Sequence, residues 1–236
     1  MKSTVVITGG TKGLGREVSL AFGRAGCFVI ALYAADQSAA REWEAAFAEA
    51  QFTGVAVQHD VGLEDNSLWN RPEIAEADDL TLVHNACAPF SPQPMHLLTW
   101  RDFEKSHQVA VKGAWLCSQP LIRLMLRKKR GAIITVLTAA VEGNPPKGFA
   151  AYVTAKHALH GFTLALAAEY TQRGLKIFSV SPGFMETALT GQWDERLRQG
   201  ILDSTIRITR PVTAAERIVG LARNASTIGA GENYAL

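Results

Sequence analysis

The sequence has few cysteines, little net charge and no long apolar run, and each shortage excludes a class of protein. Only three cysteines, Cys27, Cys87 and Cys117, are spread over 236 residues. Because no histidines lie near them at metal-ligand spacing, we expect neither a disulfide framework nor a metal site. The net charge of +2 gives no reason to expect nucleic-acid binding. No signal peptide and no apolar run of about 18 residues is present, which favours a cytoplasmic protein outside the membrane.

Short runs rich in Val and Ile alternate with helical patterns along the chain. The runs expected to form strands are Thr4–Thr8, Phe28–Leu32, Val55–Gln58, Leu80–Val83, Ala132–Leu137 and Lys176–Val180. The expected helices are Gly13–Ala25, Ser38–Ala50, Trp100–Lys128 and Ala151–Gln172. Continuous apolar strands are buried on both faces, as in a parallel sheet between helices. We therefore predict one α/β domain over residues 1–236, with a doubly wound parallel sheet and helices on both faces.

Two long coil-like stretches follow predicted strands, Ala140–Ala150 and Phe184–Asp203. Ligands bind at the carboxyl ends of the strands in open α/β sheets, so these stretches are candidate walls of a site. They contribute the apolar residues Phe149, Phe184, Met185, Leu189 and Trp193. These side chains line a partly apolar pocket or simply pin their loops to the domain, and the sequence leaves both interpretations open.

The segment Thr8–Gly15 joins the first predicted strand to the first helix and is rich in glycine. Gly9 and Gly13 permit tight turns, and Gly15 permits close packing of the helix on the sheet. The N–H groups at the start of that helix suit a pyrophosphate, which makes this turn a candidate dinucleotide site. Its other candidate contacts are Thr11, Lys12 and Leu14.

The end of the second predicted strand bears on the choice of cofactor. An acidic residue there would bind a ribose 2′-hydroxyl and repel a 2′-phosphate, but Tyr33 and Ala34 occupy that position. Asp36 comes later and is better placed to cap the next helix. Because the Lys12 ammonium could pair with a 2′-phosphate, NADP(H) is favoured over NAD(H).

Tyr152 and Lys156 lie four residues apart in a predicted helix, so both side chains face the same way. A nearby cation favours a phenolate, so we expect Lys156 to lower the pKa of Tyr152 and make it a general acid or base. Taken alone, the pair could equally be a tyrosine packed beside a solvated lysine.

Taken together, these motifs resemble those of the short-chain dehydrogenases/reductases, and the resemblance covers essentially the whole chain. The motifs that carry it are Thr8–Gly15, His59–Val61, Asn85–Cys87, Lys112–Cys117, the Tyr152/Lys156 pair, and Ser181–Gly183 with Thr187. The resemblance implies a Rossmann-type fold and an NADP(H)-dependent oxidoreductase. Within the family the chain looks most like the 3-oxoacyl-carrier-protein reductases.

The resemblance also implies roles for individual residues. On the cofactor it implies Gly9, Gly13 and Gly15 at the pyrophosphate, Asp60 with Val61 at the adenine, Asn85 on the adenosine side, and Pro182, Gly183 and Thr187 at the nicotinamide. Tyr152 would donate the proton in reduction. Lys156 would bind the nicotinamide ribose and depress the pKa of Tyr152.

Three positions depart from the pattern of the family. Cys87 replaces a glycine and could crowd the adenosine side. The substrate-orienting serine is absent; counting from Gly131 selects Thr138, which we prefer, whereas counting back from Tyr152 selects Ala139. Ala110 replaces an asparagine that carries a water-mediated proton relay in the family. His107, one turn earlier, could take its place through water, but we favour a surface or packing role for it.

We therefore expect an NADPH-dependent reductase of a ketone or aldehyde, with a 3-oxoacyl-type compound as one candidate substrate and with Tyr152, Lys156 and Thr138 as its catalytic residues. The alternative is a non-catalytic NADP(H)-binding regulatory or partner subunit, which the Ala110 and serine departures motivate. From the family we also expect a homotetramer or homodimer, formed through the helices over Trp100–Lys128 and Ala151–Gln172.

Overall fold

A seven-stranded parallel sheet forms the centre of the computed structural model, which describes residues 2–187, 189–202, 207–224 and 228–236. The strands are β1 (Ser3–Thr8), β2 (Phe28–Tyr33), β3 (Gly54–Gln58), β4 (Asp79–His84), β5 (Gly131–Val136), β6 (Leu175–Ser181) and β7 (Asn233–Ala235). Their order is β3-β2-β1-β4-β5-β6-β7, so the chain changes direction across the sheet between β1 and β4. Ligands bind at such a switch point in open α/β sheets.

Helices cover both faces of the sheet. They are α1 (Gly13–Arg24), α2 (Gln37–Glu49), α3 (Pro72–Ala75), α4 (Trp100–His107), α5 (Gly113–Lys128), α6 (Ala150–Tyr170), α7 (Glu195–Leu202) and α8 (Pro211–Arg223). On one face Phe22 of α1 and Ile218 of α8 are buried in one core cluster. On the other, Leu121 of α5 and Leu166 of α6 are buried in a second. The predicted doubly wound α/β sheet is confirmed, and none of the described helices is both long and apolar enough to span a membrane.

The helix expected over Trp100–Lys128 is interrupted by five π-helical residues, Gln108–Lys112. Such a π-helical turn holds one extra residue per turn, and turns of this kind are frequent at functional sites. Ala110 within it is buried against Leu137 and Leu159, so the departure from the asparagine of the family leaves a packed apolar contact.

The carboxyl-terminal part of the fold differs most from expectation. Phe184–Asp203 was expected to be coil, but α7 occupies Glu195–Leu202; Asp203 itself lies outside the described residues. Neither α8 nor β7 was predicted. The strand has only three residues and no Val or Ile, which leaves no local signal.

Candidate active site

The glycine-rich turn after β1 forms a narrow cradle of backbone. Gly9 and Gly13 adopt positive φ angles of 63° and 54°, which side chains other than glycine rarely adopt. A Cβ on Gly15 would collide with the Gly9 carbonyl oxygen. Helix α1 begins at Gly13 and has no side-chain cap from Lys12, so its first N–H groups suit a phosphate. Thr11 and Leu14 are buried beside this cradle. The cradle fits the pyrophosphate of a dinucleotide.

Asn85 ties the end of β4 to this cradle. Its Nδ2 donates to the carbonyl oxygens of Thr8 at 3.0 Å and Gly9 at 3.1 Å. Its backbone N–H donates to the Thr8 Oγ1 at 2.9 Å. These bonds fix the two sides of the switch point relative to each other.

Lys12 and Asp36 form an ion pair at the end of β2, with 2.9 Å between the Lys12 Nζ and the Asp36 Oδ2. Asp36 also accepts a hydrogen bond from the Ala39 N–H, which confirms it as the cap of α2. Lys12 and that N–H hold the pKa of the Asp36 carboxyl below its usual range. The ion pair was not expected, and it places a carboxylate against the cation on which the choice of NADP(H) depends.

Asp60 and Val61 follow β3. The Asp60 Oδ1 accepts a hydrogen bond from the Gly62 N–H at 2.9 Å, while the carboxylate stays exposed. Val61 is buried against Gly113, where a Cβ would come within 2.8 Å of its side chain. Asp60 is therefore exposed to solvent next to Val61, which is packed into the protein.

Tyr152, Lys156 and Thr138 come together at the carboxyl end of β5. The Lys156 Nζ donates to the Val136 carbonyl oxygen at 2.7 Å and lies 5.7 Å from the centre of the Tyr152 ring. The Thr138 hydroxyl is close enough to the Tyr152 phenol to lower its pKa. Ala139 offers no hydroxyl, and its N–H donates to the Pro182 carbonyl oxygen at 2.8 Å. The geometry thus gathers the two residues of the helix motif and Thr138 around one point.

The pKa of Tyr152 shifts in the direction opposite to the one expected from Lys156. Burial raises the pKa of the phenol, with the neighbouring Cys87 adding to the rise and Thr138 opposing it. Burial also lowers the pKa of Lys156. The expectation was wrong for this closed site because the cost of desolvating a phenolate is the largest influence on the pKa of Tyr152. Tyr152 is therefore a neutral phenol near pH 7, the form that holds a proton to give.

Cys87 is half-buried beside these groups, with its thiol donating to the Ala88 carbonyl oxygen at 3.3 Å. Burial raises the pKa of this thiol, and the nearby Lys156 acts against that rise. The side chain that replaces the glycine of the family therefore lies within electrostatic range of the catalytic candidates.

The loop after β6 completes the floor of the site. Gly183 donates its N–H to the Thr209 Oγ1 at 2.9 Å, and a Cβ there would collide with the Arg207 carbonyl oxygen. Thr187 lies next to the glycine-rich cradle, because a Cβ added to Gly13 would be 3.7 Å from the Cβ of Thr187. Buried Pro182 links this loop to the end of β5 through its bond with Ala139.

Two residues of the site were missed in the sequence. Phe90, in the loop after β4, stacks on the Tyr152 ring; its position shortly after the Asn85 motif was the available signal. His84, directly before that motif, is buried with a 2.9 Å contact between its Nε2 and the Ser118 Oγ. Burial lowers the pKa of His84 to about 3, with Lys156 contributing, so this imidazole is neutral.

Of the five apolar pocket candidates, Leu189 is partly buried and the other four divide into two groups. Phe149, Phe184 and Trp193 gather around Tyr152. Met185 instead packs against the core cluster that contains α1 and α8, which supports the other interpretation, that this side chain pins its loop to the domain. Its place after β6 could not show this, because neighbouring residues in a loop can face either way.

Comparisons with known proteins agree with this geometry. The sequence model of the short chain dehydrogenase family matches residues 3–198. Acetoacetyl-CoA reductase of Allochromatium vinosum is 30% identical, over 99% of this chain and 96% of its own. A structure from Beutenbergia cavernae, described as an NAD(P)-dependent gluconate 5-dehydrogenase with bound NADP, has a TM-score of 0.85 at 26% identity, covering 99% and 94% of the two chains. The 3-ketoacyl-(acyl-carrier-protein) reductase of Brucella melitensis, complexed with NADH, shares the fold with a TM-score of 0.86 at 22% identity, covering 99% and 96%.

Proposed function

This chain belongs to the short-chain dehydrogenase family, and from that premise we propose that it is an NADPH-dependent reductase that converts a ketone or aldehyde into an alcohol. One observation carries the proposal. A neutral Tyr152 phenol, the Thr138 hydroxyl and the Lys156 ammonium converge where β5 ends, on the same edge of the sheet as the glycine-rich cradle.

Each of the three groups has a separate task in this proposal. When bound, the nicotinamide cofactor supplies a hydride to the carbonyl carbon of the substrate and is oxidised. Tyr152 gives its phenolic proton to the carbonyl oxygen as that oxygen gains charge. Thr138 donates a hydrogen bond to the same oxygen and orients it. Lys156, which donates to the Val136 carbonyl oxygen in this structure, would hold the ribose hydroxyls of the cofactor and stabilise the phenolate that remains.

NADPH is the proposed cofactor because Lys12 lies beside the ribose end of the cradle and no acid stands at Tyr33 or Ala34. The preference over NADH is modest in this proposal. The Asp36 carboxylate already forms an ion pair with the Lys12 ammonium, so a 2′-phosphate must compete with this carboxylate for the same ammonium.

The Ala110 substitution favours a second candidate, a non-catalytic NADP(H)-binding partner or regulatory subunit. Ala110 cannot carry the proton relay that the resemblance attributes to asparagine at this position.

The test that separates the two candidates is NADPH oxidation, followed at 340 nm, against a panel of ketones and aldehydes. A reductase oxidises NADPH with at least one of them. If the protein binds NADPH but reduces none of the carbonyl compounds, the non-catalytic subunit replaces the reductase as the proposed function.

A homodimer or homotetramer in the cytoplasm is part of the proposal. A groove of about 690 Å³ between α4, α5 and α6 is lined by Val111, Trp115 and Phe162 among others. Trp115 and Leu164 on these helices are each nearly half exposed, at 47% and 46%. A second copy of the chain would cover these side chains, and a monomer by light scattering at micromolar concentration would contradict this.

The cytoplasmic location is proposed from the cysteines. The three cysteines are free thiols, which suits a reducing compartment.

A further inference from the structure

Aromatic rings close around the Tyr152 phenol. The Phe90 ring lies 4.7 Å from the Tyr152 ring with 13° between their planes, which is a stacked pair. Phe149 meets both rings edge-on, at 5.3 Å from Phe90 and 6.0 Å from Tyr152. Offset-stacked and edge-to-face pairs are the arrangements that aromatic rings prefer. We call Phe90, Phe149 and Trp193 the aromatic cage.

Trp193 closes the cage from the loop after β6. Its ring lies 5.3 Å from Phe90 and 5.4 Å from Phe149, both edge-on. The Trp193 Nε1 donates to the Phe90 carbonyl oxygen at 3.0 Å. Since Phe149 precedes α6, the cage joins the loops that follow three different strands, all at the end of the sheet where the substrate must enter.

The cage is made of apolar side chains, and the Lys156 ammonium lies beside it, 5.7 Å from the centre of the Tyr152 ring. Its other neighbours are Ala140, Val153, Phe184 and Ile201. Two arginines of the segment after β6 are ion-paired, Arg198 of α7 with Glu186 and Arg207 with Glu142. Moving a carboxylate or phosphate out of water without a partner is costly, so a ring that carries such a group fits poorly among these apolar side chains.

The Phe90 ring marks the shape that this space accepts. A flat ring already stands against Tyr152, with edge contacts to Phe149 and Trp193. If Phe90 swings aside and another flat ring enters, those edge contacts are made again. A saturated ring is thicker and lacks the ring quadrupole, so it fills the space less well.

We propose that the aromatic cage selects a ketone bearing a flat, uncharged aryl ring, which exchanges places with Phe90 and directs its carbonyl at Tyr152. This inference rests on the proposed reductase function and adds the substrate class to it. Phe90, Phe149 and Trp193 are then specificity-determining residues, with Phe90 acting as the ring that the substrate displaces.

The direct test compares phenylacetone with cyclohexylacetone, because neither carbonyl is conjugated with its ring and their intrinsic reactivities are similar. Each edge contact to an aromatic ring is expected to favour the aryl ketone by about twofold to tenfold. We expect kcat/KM for phenylacetone to exceed that for cyclohexylacetone by roughly tenfold. Phe149→Leu removes one edge contact and should lower this ratio by about threefold or more.

Phe103→Leu is the matched control, because Phe103 stacks on Trp100 and His107 in α4 instead of on the cage. That variant should keep the wild-type ratio. Equal kcat/KM values for the two ketones in the wild-type protein would overturn the cage inference while leaving the reductase function intact. The ratio of kcat/KM for the two ketones in the wild-type protein is sufficient to test the inference, so the test still holds if the Phe149→Leu variant fails to fold. Failure to reduce any carbonyl compound would remove the reductase function and the inference with it.

Discussion

The ion pair between Lys12 and Asp36 makes a sharp prediction about cofactor choice. Asp36→Asn removes the carboxylate charge but keeps a side-chain oxygen that can cap α2 through the Ala39 N–H, so the helix should remain intact. The same change frees the Lys12 ammonium for a 2′-phosphate. NADPH, which carries that phosphate, should therefore bind more tightly to the variant, whereas NADH should not.

The size of the effect has two parts. An ion pair this exposed, with the two side chains 56% and 43% accessible, is worth at most about 1 kcal/mol. Repulsion between Asp36 and a phosphate of about −1.5 to −2 charge held by the same ammonium, screened by water at this exposed position, adds about 1 kcal/mol. Together they amount to about 1–2 kcal/mol, a gain of roughly fivefold to thirtyfold in NADPH affinity.

Titration calorimetry with NADPH and NADH on the wild-type protein, Asp36→Asn and Lys12→Gln is the assay. Lys12→Gln should weaken NADPH by about tenfold and change NADH by less than about twofold. The gain from Asp36→Asn should shrink when Lys12→Gln is also present, because the two residues act on the same phosphate. An equal gain for both cofactors, or no gain for either, would refute this reasoning.

Three further predictions concern Thr138, Ala110 and His84. Thr138→Ala should lower kcat by about a hundredfold by removing one donor to the developing oxyanion, while Thr138→Ser should nearly keep the wild-type rate; equal rates in all three would exclude a role for the hydroxyl. Ala110→Asn should raise kcat if proton resupply limits turnover, and an unchanged kcat would show that water reaches Lys156 by another route. His84 is neutral in the folded chain, with a pKa of about 3 against an ordinary value of 6.5, so the unfolded chain binds more protons between these values and stability is lost as pH falls below about 6.5. His84→Asn should reduce the drop in the free energy of unfolding between pH 7 and pH 5, measured by urea denaturation. An unchanged drop would contradict the conclusion that His84 is buried as a neutral imidazole.

Local sequence patterns were enough to predict the sheet and the helix motif. Five of the seven strands, β1, β2, β4, β5 and β6, are largely buried and rich in Val, Ile or Leu, and such runs signal a strand covered on both faces. The positive φ angles of Gly9 and Gly13 follow from a glycine-rich turn between a strand and a helix. The four-residue spacing of Tyr152 and Lys156 places both side chains on one side of α6.

The contacts that the sequence could not show join residues far apart in the chain. Phe90, Phe149 and Trp193 belong to three loops that only the strand order brings together. The bond between the Trp193 Nε1 and the Phe90 carbonyl oxygen spans 103 positions. The rise in the pKa of Tyr152 depends on this enclosure, so the expectation drawn from Lys156 alone was wrong.

The pairing of Lys12 with Asp36 illustrates the same limit at shorter range. Both residues stood out in the sequence, one as a cation in the phosphate turn and the other as a helix cap. Whether they touch depends on the direction in which α2 leaves the sheet, which no local pattern encodes.

The most direct test of the account is Tyr152→Phe, which removes the phenolic hydroxyl and keeps the ring that stacks on Phe90. The measurement is single-turnover and steady-state oxidation of NADPH with a carbonyl compound that the wild-type protein reduces, together with the dissociation constant for NADPH. The account predicts that turnover falls to background while NADPH affinity stays within about twofold, because the phenol acts in the transition state. Reduction by Tyr152→Phe at the wild-type rate would contradict the assignment of Tyr152 as proton donor.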